Sequence, residues 1–448
     1  MNVALDYTRC LEVPHGGLFL TEADLRRLVP TLADCLRRLR EGEGDLCDQA
    51  VLMTGWQDEP GRQLPKVEDY RRRLAPLREV DHVFIVGIGG SYLGPRALYE
   101  ALGGNTGPEL LFLGYDVDPQ YARTCLERAR GKVGCVVISK SGTTVEPAMA
   151  FRYVRALIHE RMGSSARKYI KAITGAKGSV LRRIAEAEGY DVFDIPEDIG
   201  GRFSVMTPVG VVPGLVASLP MEEYLEGALA MKRSADLLEP LCNPAAMLAA
   251  LRYLFWERGA VAEYQVCSCQ RLESHLQWAV QLQAESEGHY GHGVHVLGAL
   301  FPRDLHSVGQ LLQEGPRNLY EVATVVRNQG TAMPLARTGG DDGLDGFVER
   351  VGDLGRFSDM VVTGALNAHF AGGAPSSTLE LDTLDAAHLG ALHYLLFKST
   401  ALMGLLLRHN PFVQPGVKAW KDALHAVAEG QHGPGETGGE RHVLRCAG

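Results

Sequence analysis

HVFIVGIGG, residues 82–90, is an apolar run that stops on a cluster of glycines, the pattern of a buried strand entering a tight loop. ELLFLG (109–114), GCVVISKSG (134–142), KYIKAITG (168–175) and YDVFDIP (190–196) repeat the theme, separated by helix-length segments such as 146–162 and 178–188. Strands that are apolar on both faces and alternate with helices build a parallel sheet covered on each side. A second series begins near residue 260 with AEYQVCSC (262–269), GVHVLGAL (293–300), YEVATVV (320–326) and STLELD (377–382). Helical segments at 271–284, 304–314, 353–370 and 384–408 lie between and after these strands. The expected fold is α/β, with two doubly wound parallel sheets, each sandwiched between helices.

The rest of the chain is assigned around these two series. Residues 1–80 read as a helical N-terminal segment, from the Leu/Arg periodicity of 22–40 and 66–77. The first lobe is expected over 81–215 and the second over 245–410, joined through 206–245. A C-terminal helix follows over 411–428. The tail, 429–448, is Gly-rich and polar and is expected to be disordered. A chain of 448 residues is long enough for two such domains.

Charge and cysteine usage exclude several classes. A net charge of −9 gives no basic field for nucleic acid, although a local pocket can still hold an anion. Nine cysteines, an odd number scattered from Cys10 to Cys446, do not form a secreted disulfide framework. Cys267 and Cys269 read as small thiols in a strand, and the spacing of His289, His292 and His295 suits no ligand set, so no metal is expected. MNVALDYTRCLEVP lacks a basic stretch followed by an apolar one, the mark of a signal peptide. The apolar stretch 205–221 is broken by Pro208, Pro213 and Pro220, and 392–407 by Lys398, so neither reads as a membrane span. A cytoplasmic protein is expected.

Six segments carry chemistry. Gly87-Ile88-Gly89-Gly90-Ser91 closes the first strand ahead of a helix; its glycines admit a ligand close to the backbone, and the helix start attracts an anion. A dinucleotide-binding reading competes, because Asp116 lies where a ribose-binding acid belongs. Tyr92, however, stands where the third fingerprint glycine should be. A plain tight turn is the other alternative. Ser139-Lys140-Ser141-Gly142-Thr143-Thr144 again links a strand to a helix. Its four hydroxyls exceed the one side chain that a helix cap needs, and favour a phosphate. Gly200-Gly201-Arg202-Phe203-Ser204 places an arginine behind two glycines, either aimed at a developing oxyanion or merely solvated.

In the segment 281–288, Gln281 and Glu285 are four apart and share a helix face, while Glu287 at the exit is expected to face solvent. A partly shielded carboxylate at such a terminus suits a general base for a carbon acid, though most helix-end glutamates only meet water. Asp304-Leu305-His306-Ser307 opens a helix that Asp304 or Ser307 would cap; a lone histidine there is more often structural than catalytic. Gln414-Pro415-Gly416 turns into a helix bearing Lys418 and Lys421, which ordinarily mark a solvated face.

In this order VGIGGSYLGP, SKSGTTVEP, DIGGRFSVMTPVG, ESEG, DLHSVGQ and QPGVxxxK resemble the phosphoglucose isomerase family, of bacterial type, across residues 84–421. The resemblance implies two sugar-isomerase (SIS) lobes and a reversible aldose–ketose isomerisation of glucose 6-phosphate and fructose 6-phosphate through a cis-enediolate. It implies no cofactor. Gly90 and Ser91, with Ser139, Ser141 and Thr144, would hold the sugar phosphate, while direct contact by Lys140 is not expected. Glu285 would move the proton between C1 and C2, Arg202 would stabilise the developing charge, and Gln281 would orient sugar hydroxyls. His306 would assist ring opening from the neighbouring subunit of a homodimer with shared active sites, with Lys421 and Gln414 on the other side of the substrate. His289 stands where a lysine is usual, Val413 where an acid precedes Gln414, and Lys418 where an acid or small polar residue is found. PRDLHS replaces a Ser/Thr-rich approach to the histidine. These departures bear on sugar preference, and a bifunctional phosphoglucose/phosphomannose isomerase is one alternative. A non-catalytic sugar-phosphate sensor would lack the base, and a nicotinamide oxidoreductase would leave Glu285 and His306 without a role.

Overall fold

Val83 to Val86 are buried on both faces, and the strand they form lies inside the first sheet, between two parallel neighbours. The computed structural model describes residues 3–11, 18–43, 52–103, 106–337, 339 and 343–430. In chain order the strands are β1 (Val3–Asp6), β2 (His82–Val86), β3 (Glu109–Leu113), β4 (Val133–Ile138), β5 (Ile170–Gly175) and β6 (Asp191–Ile195). They continue with β7 (Ala262–Cys267), β8 (His295–Leu300), β9 (Leu319–Asn328) and β10 (Ser376–Thr383). The first sheet is wholly parallel, in the order β3-β2-β4-β5-β6. The chain leaves β2 toward β3 and then returns to add β4 on the other side. The order therefore reverses between β2 and β4, which opens a crevice beyond their carboxyl ends.

The second sheet runs β1-β10-β9-β7-β8 and is parallel except at β1, which pairs antiparallel with β10, Val3 opposite Leu381. Here the structure corrects the helical reading of the N-terminal segment. VALD is too short to show a period of its own, and it becomes a strand by borrowing the open edge of β10. Beyond it the segment is helical at Glu22–Glu41, which opens on a Thr21/Asp24 capping box, and again at Glu59–Gln63 and Val67–Arg73.

The stretch joining the sheets is not a bare linker. Its helices Pro208–Val216 and Met221–Ala235, with Pro244–Glu257 just beyond, pack with Ala386–Leu406 into a core that includes residues of both sheets, Val83 and Leu379 among them. Among the described residues Ala386–Leu406 is the one helix long and apolar enough to cross a membrane, and it lies buried inside the protein. The chain then turns through 407–414 into a last helix, Pro415–Ala428, that has no buried residue. Of the tail, 431–448 lies outside the described residues.

Candidate active site

The crevice of the first sheet is lined by the loops that the sequence singled out. The loop after β2 and the loop after β6 touch, because Gly90 has no side chain: a Cβ there would lie 2.1 Å from the Gly201 carbonyl oxygen. At Gly89 a Cβ would meet the Gln281 amide nitrogen at 2.9 Å, so the same loop also abuts the end of the Glu273–Glu287 helix. In the loop after β4 the Ser139 hydroxyl accepts from the Gly142 N–H at 3.0 Å, and Ser141 Oγ lies 2.9 Å from Thr143 Oγ1. Gly142 takes φ +72°, a left-handed conformation that glycine adopts without steric penalty. Thr144 occupies the N-cap position of the Val145–Met162 helix without capping it, which leaves its hydroxyl for another partner. Lys140 does not reach into the crevice. Its ammonium donates to the carbonyls of Glu197 and Ile199, at 3.0 and 2.8 Å, and so ties this loop to the approach to Arg202. Burial holds its pKa below the usual lysine value.

Arg202 is the centre of the site. Its side chain is 2% exposed, and all five guanidinium N–H donors have an acceptor. Nε donates to Ser286 Oγ at 2.7 Å; Nη1 donates to Gln414 Oε1 at 2.9 Å and to Glu285 Oε2 at 3.3 Å; Nη2 donates to the carbonyls of Pro411 and Val413 at 2.6 and 3.0 Å. Burial pushes the arginine down to about 10, against the pull of Glu285, so it stays charged at neutral pH. Glu285 is 31% exposed, and its other oxygen accepts from Gln281 Nε2 at 3.0 Å. The remaining Gln281 oxygen is buried with no hydrogen-bond partner among the described residues, an acceptor free to take a ligand hydroxyl. Chemically this is a fixed cation beside a reachable carboxylate, with amides on either side: a base facing an electrophile.

The structure thus joins Arg202, Glu285, Gln281 and Gln414 by direct hydrogen bonds and sets Gly90 against the arginine loop. His306 and Lys421 lie elsewhere. His306 is exposed on the Arg303–His306 turn after β8 and has no hydrogen bond to this cluster among the described residues. Lys421 is exposed on the last helix, with its ammonium 5.7 Å from the Trp420 ring centroid. Asp304 takes the Leu300 N–H at 2.7 Å. Among the described residues no group of three or more His, Cys, Asp or Glu side chains is arranged to hold a metal.

Glu287 overturns the solvent-facing expectation. It is 1% exposed, and both its oxygens accept from Arg252, each at 2.8 Å. The sequence reading passed over Arg252, Ser286 and His409 as well. A signal for the first was available, since a single arginine inside PAAMLAALRYLFWE (244–257) must find a buried acid.

Fold and site together define an α/β protein of two mostly parallel sheets flanked by helices, with a buried arginine beside a carboxylate at the crevice of the first. The sequence profile of the phosphoglucose isomerase family matches residues 72–298. A curated glucose-6-phosphate isomerase of Symbiobacterium thermophilum is 38% identical over 390 residues, covering 84% of this chain and 86% of that one. Another, of Bacillus thuringiensis strain Al Hakam, is 36% identical over 442 residues, 95% of each. The crystal structure of a glucose-6-phosphate isomerase from Chlamydia trachomatis shares the fold, with a TM-score of 0.75 at 22% identity, covering 95% of this chain and 88% of that one. The chain belongs to the phosphoglucose isomerase family.

Proposed function

We propose that this protein interconverts glucose 6-phosphate and fructose 6-phosphate through a cis-enediolate. The observation that carries the reading is the Arg202–Glu285 pair, a buried cation with every donor satisfied beside a partly open carboxylate. In the proposed mechanism the hydroxyls and amides of 139–144, with Gly90 and Ser91, hold the phosphate. Glu285 takes the proton from one carbon and returns it to the next, and Arg202 stabilises the oxygen that gains charge between the two transfers. Gln281 and Gln414 fix the sugar hydroxyls. The chemistry is assigned to these side chains without a cofactor.

The reading includes a cytoplasmic homodimer in which His306 of one subunit, and Lys421 near the other rim, complete the site. Two features favour it: among the described residues His306 makes no hydrogen bond with its own chain's cluster, and the last helix exposes Trp420, Leu424 and Val427 along one stripe. A coupled assay of fructose 6-phosphate conversion to glucose 6-phosphate tests the reading. Turnover that Glu285→Gln abolishes supports it, and a folded wild-type protein without turnover overturns it.

A further inference from the structure

Three consecutive residues at the end of the Glu273–Glu287 helix are held by three separate parts of the chain. Glu285 and the Ser286 hydroxyl meet Arg202, from the loop after β6. The Ser286 carbonyl oxygen lies 3.0 Å from His409 Nε2, beyond the Ala386–Leu406 helix. The His409 ring is backed by the stacked ring of His289, with centroids 4.6 Å apart, and His289 Nε2 sits 3.1 Å from the Glu285 carbonyl oxygen. Glu287 is gripped on both oxygens by Arg252, from the Pro244–Glu257 helix. Arg252 is itself anchored through Nε to Glu263 on β7 at 2.7 Å, and Glu263 also accepts from the Gln265 amide and the Tyr320 hydroxyl.

A helix end is ordinarily its loosest part, with carbonyls lacking intrahelical partners. Successive side chains leave a helix about 100° apart, given ~3.6 residues per turn. Holding three in a row from three directions therefore fixes both the rotation of the last turn and its position along the axis. Stability alone does not call for this arrangement. Two buried carboxylates around one guanidinium stabilise no better, in general, than apolar side chains of the same volume. What the arrangement supplies is direction.

We propose that Arg252 and His409 are positioning residues for Glu285: through Glu287 and the Ser286 carbonyl they set the aim of its carboxylate. The proposal rests on the reading of Glu285 as the base. The test is steady-state kinetics of the full-length variants Glu287→Gln, His409→Phe, His409→Gln and Glu285→Gln, using glucose 6-phosphate deuterated at C2. Misplacing a catalytic group by about 1 Å costs on the order of 10² in rate. Glu287→Gln and His409→Phe should therefore lose about 10- to 100-fold in kcat while KM stays within about threefold. Their deuterium isotope effect on kcat should rise as proton transfer becomes limiting. His409→Phe keeps the ring stack and removes the donor, whereas His409→Gln restores an N–H and should recover most of kcat. If Glu287→Gln does not fold, the His409 pair decides. Wild-type kcat and isotope effect in folded Glu287→Gln or His409→Phe overturn the proposal. So does a fall in activity that only tracks loss of folded protein. Should Glu285→Gln keep wild-type turnover, the base assignment fails first; a dead Glu285→Gln beside fully active positioning variants sinks this inference alone.

Discussion

Arg202 Nη1 lies 3.3 Å from Glu285 Oε2, the longest of the five hydrogen bonds that the guanidinium makes. The four shorter bonds fix the cation to groups that do not react. The longest reaches the one group that, in the proposed mechanism, changes partners during proton transfer. A rigid charge beside a lightly held carboxylate is what the proposed stabilisation of an enediolate requires.

Arg202→Lys should therefore impair chemistry far more than substrate affinity. An ammonium lacks the planar fork and cannot serve five acceptors. Removing one preorganised donor typically costs about 10²–10³ in kcat, and that loss is expected here. Each carbonyl left unpaired, Pro411 or Val413, should cost about 1–3 kcal/mol of stability. Coupled-assay kinetics and thermal melting check both effects, and a near-wild-type kcat would remove Arg202 from the mechanism.

The loop after β4 gives a separate test. Ser141→Ala combined with Thr144→Ala should raise KM for phosphorylated sugars about 10- to 100-fold, the worth of one or two hydrogen bonds to a charged group. Gly142→Ala should act similarly, because a Cβ at that left-handed position would lie 2.2 Å from the Leu181 nitrogen. Titration with a sugar-phosphate inhibitor reads the affinity directly. Unchanged binding would move the phosphate out of this loop.

The shared-site reading predicts complementation. Glu285→Gln and His306→Ala, each inactive alone, should regain activity after denaturation and co-refolding. Random pairing gives half mixed dimers with one intact site each, so roughly a quarter of wild-type activity should return. A mixture that stays inactive, with each variant folded and dimeric, assigns His306 to its own chain.

Glu59 predicts a pH dependence of stability. It is 1% exposed, and burial pushes it up to about 7 from the ordinary glutamate value near 4.5. Above 4.5 the unfolded chain ionises while the folded one stays protonated, so stability tied to this group falls as pH rises to about 7 and then levels off. Glu59→Gln should gain on wild type across that window, by on the order of a few kcal/mol at its upper end. Melting curves at pH 4.5, 6 and 8 check it; a constant difference between the two proteins would mean that Glu59 is ionised in the fold.

The sequence was most readable where a single local pattern is sufficient. Of the ten strands among the described residues, nine, β2 to β10, were marked by apolar runs, and the motifs around Arg202 and Glu285 fell on the residues that meet in the crevice. β1 escaped because four residues show no period and their pairing depends on β10. Glu287 was misread because its position at a helix exit resembles exposure, and only the distant Arg252 makes it a core residue. Ser286 and His409 carried no signal at all: one hydroxyl and one ring nitrogen acquire meaning from what lies opposite them in space.

The acceptors of Arg202 at Pro411, Val413 and Gln414 lie 209, 211 and 212 residues downstream of it. During synthesis the first sheet and its loops emerge from the ribosome long before those acceptors exist. Until they arrive, the guanidinium has nowhere buried to go, and the crevice lacks its fixed charge. A chain ended before residue 411 can therefore carry the loops after β2 and β4 together with Glu285 and still lack the acceptors that bury Arg202. The pocket around Arg202 is closed late, by residues that follow every strand of both sheets.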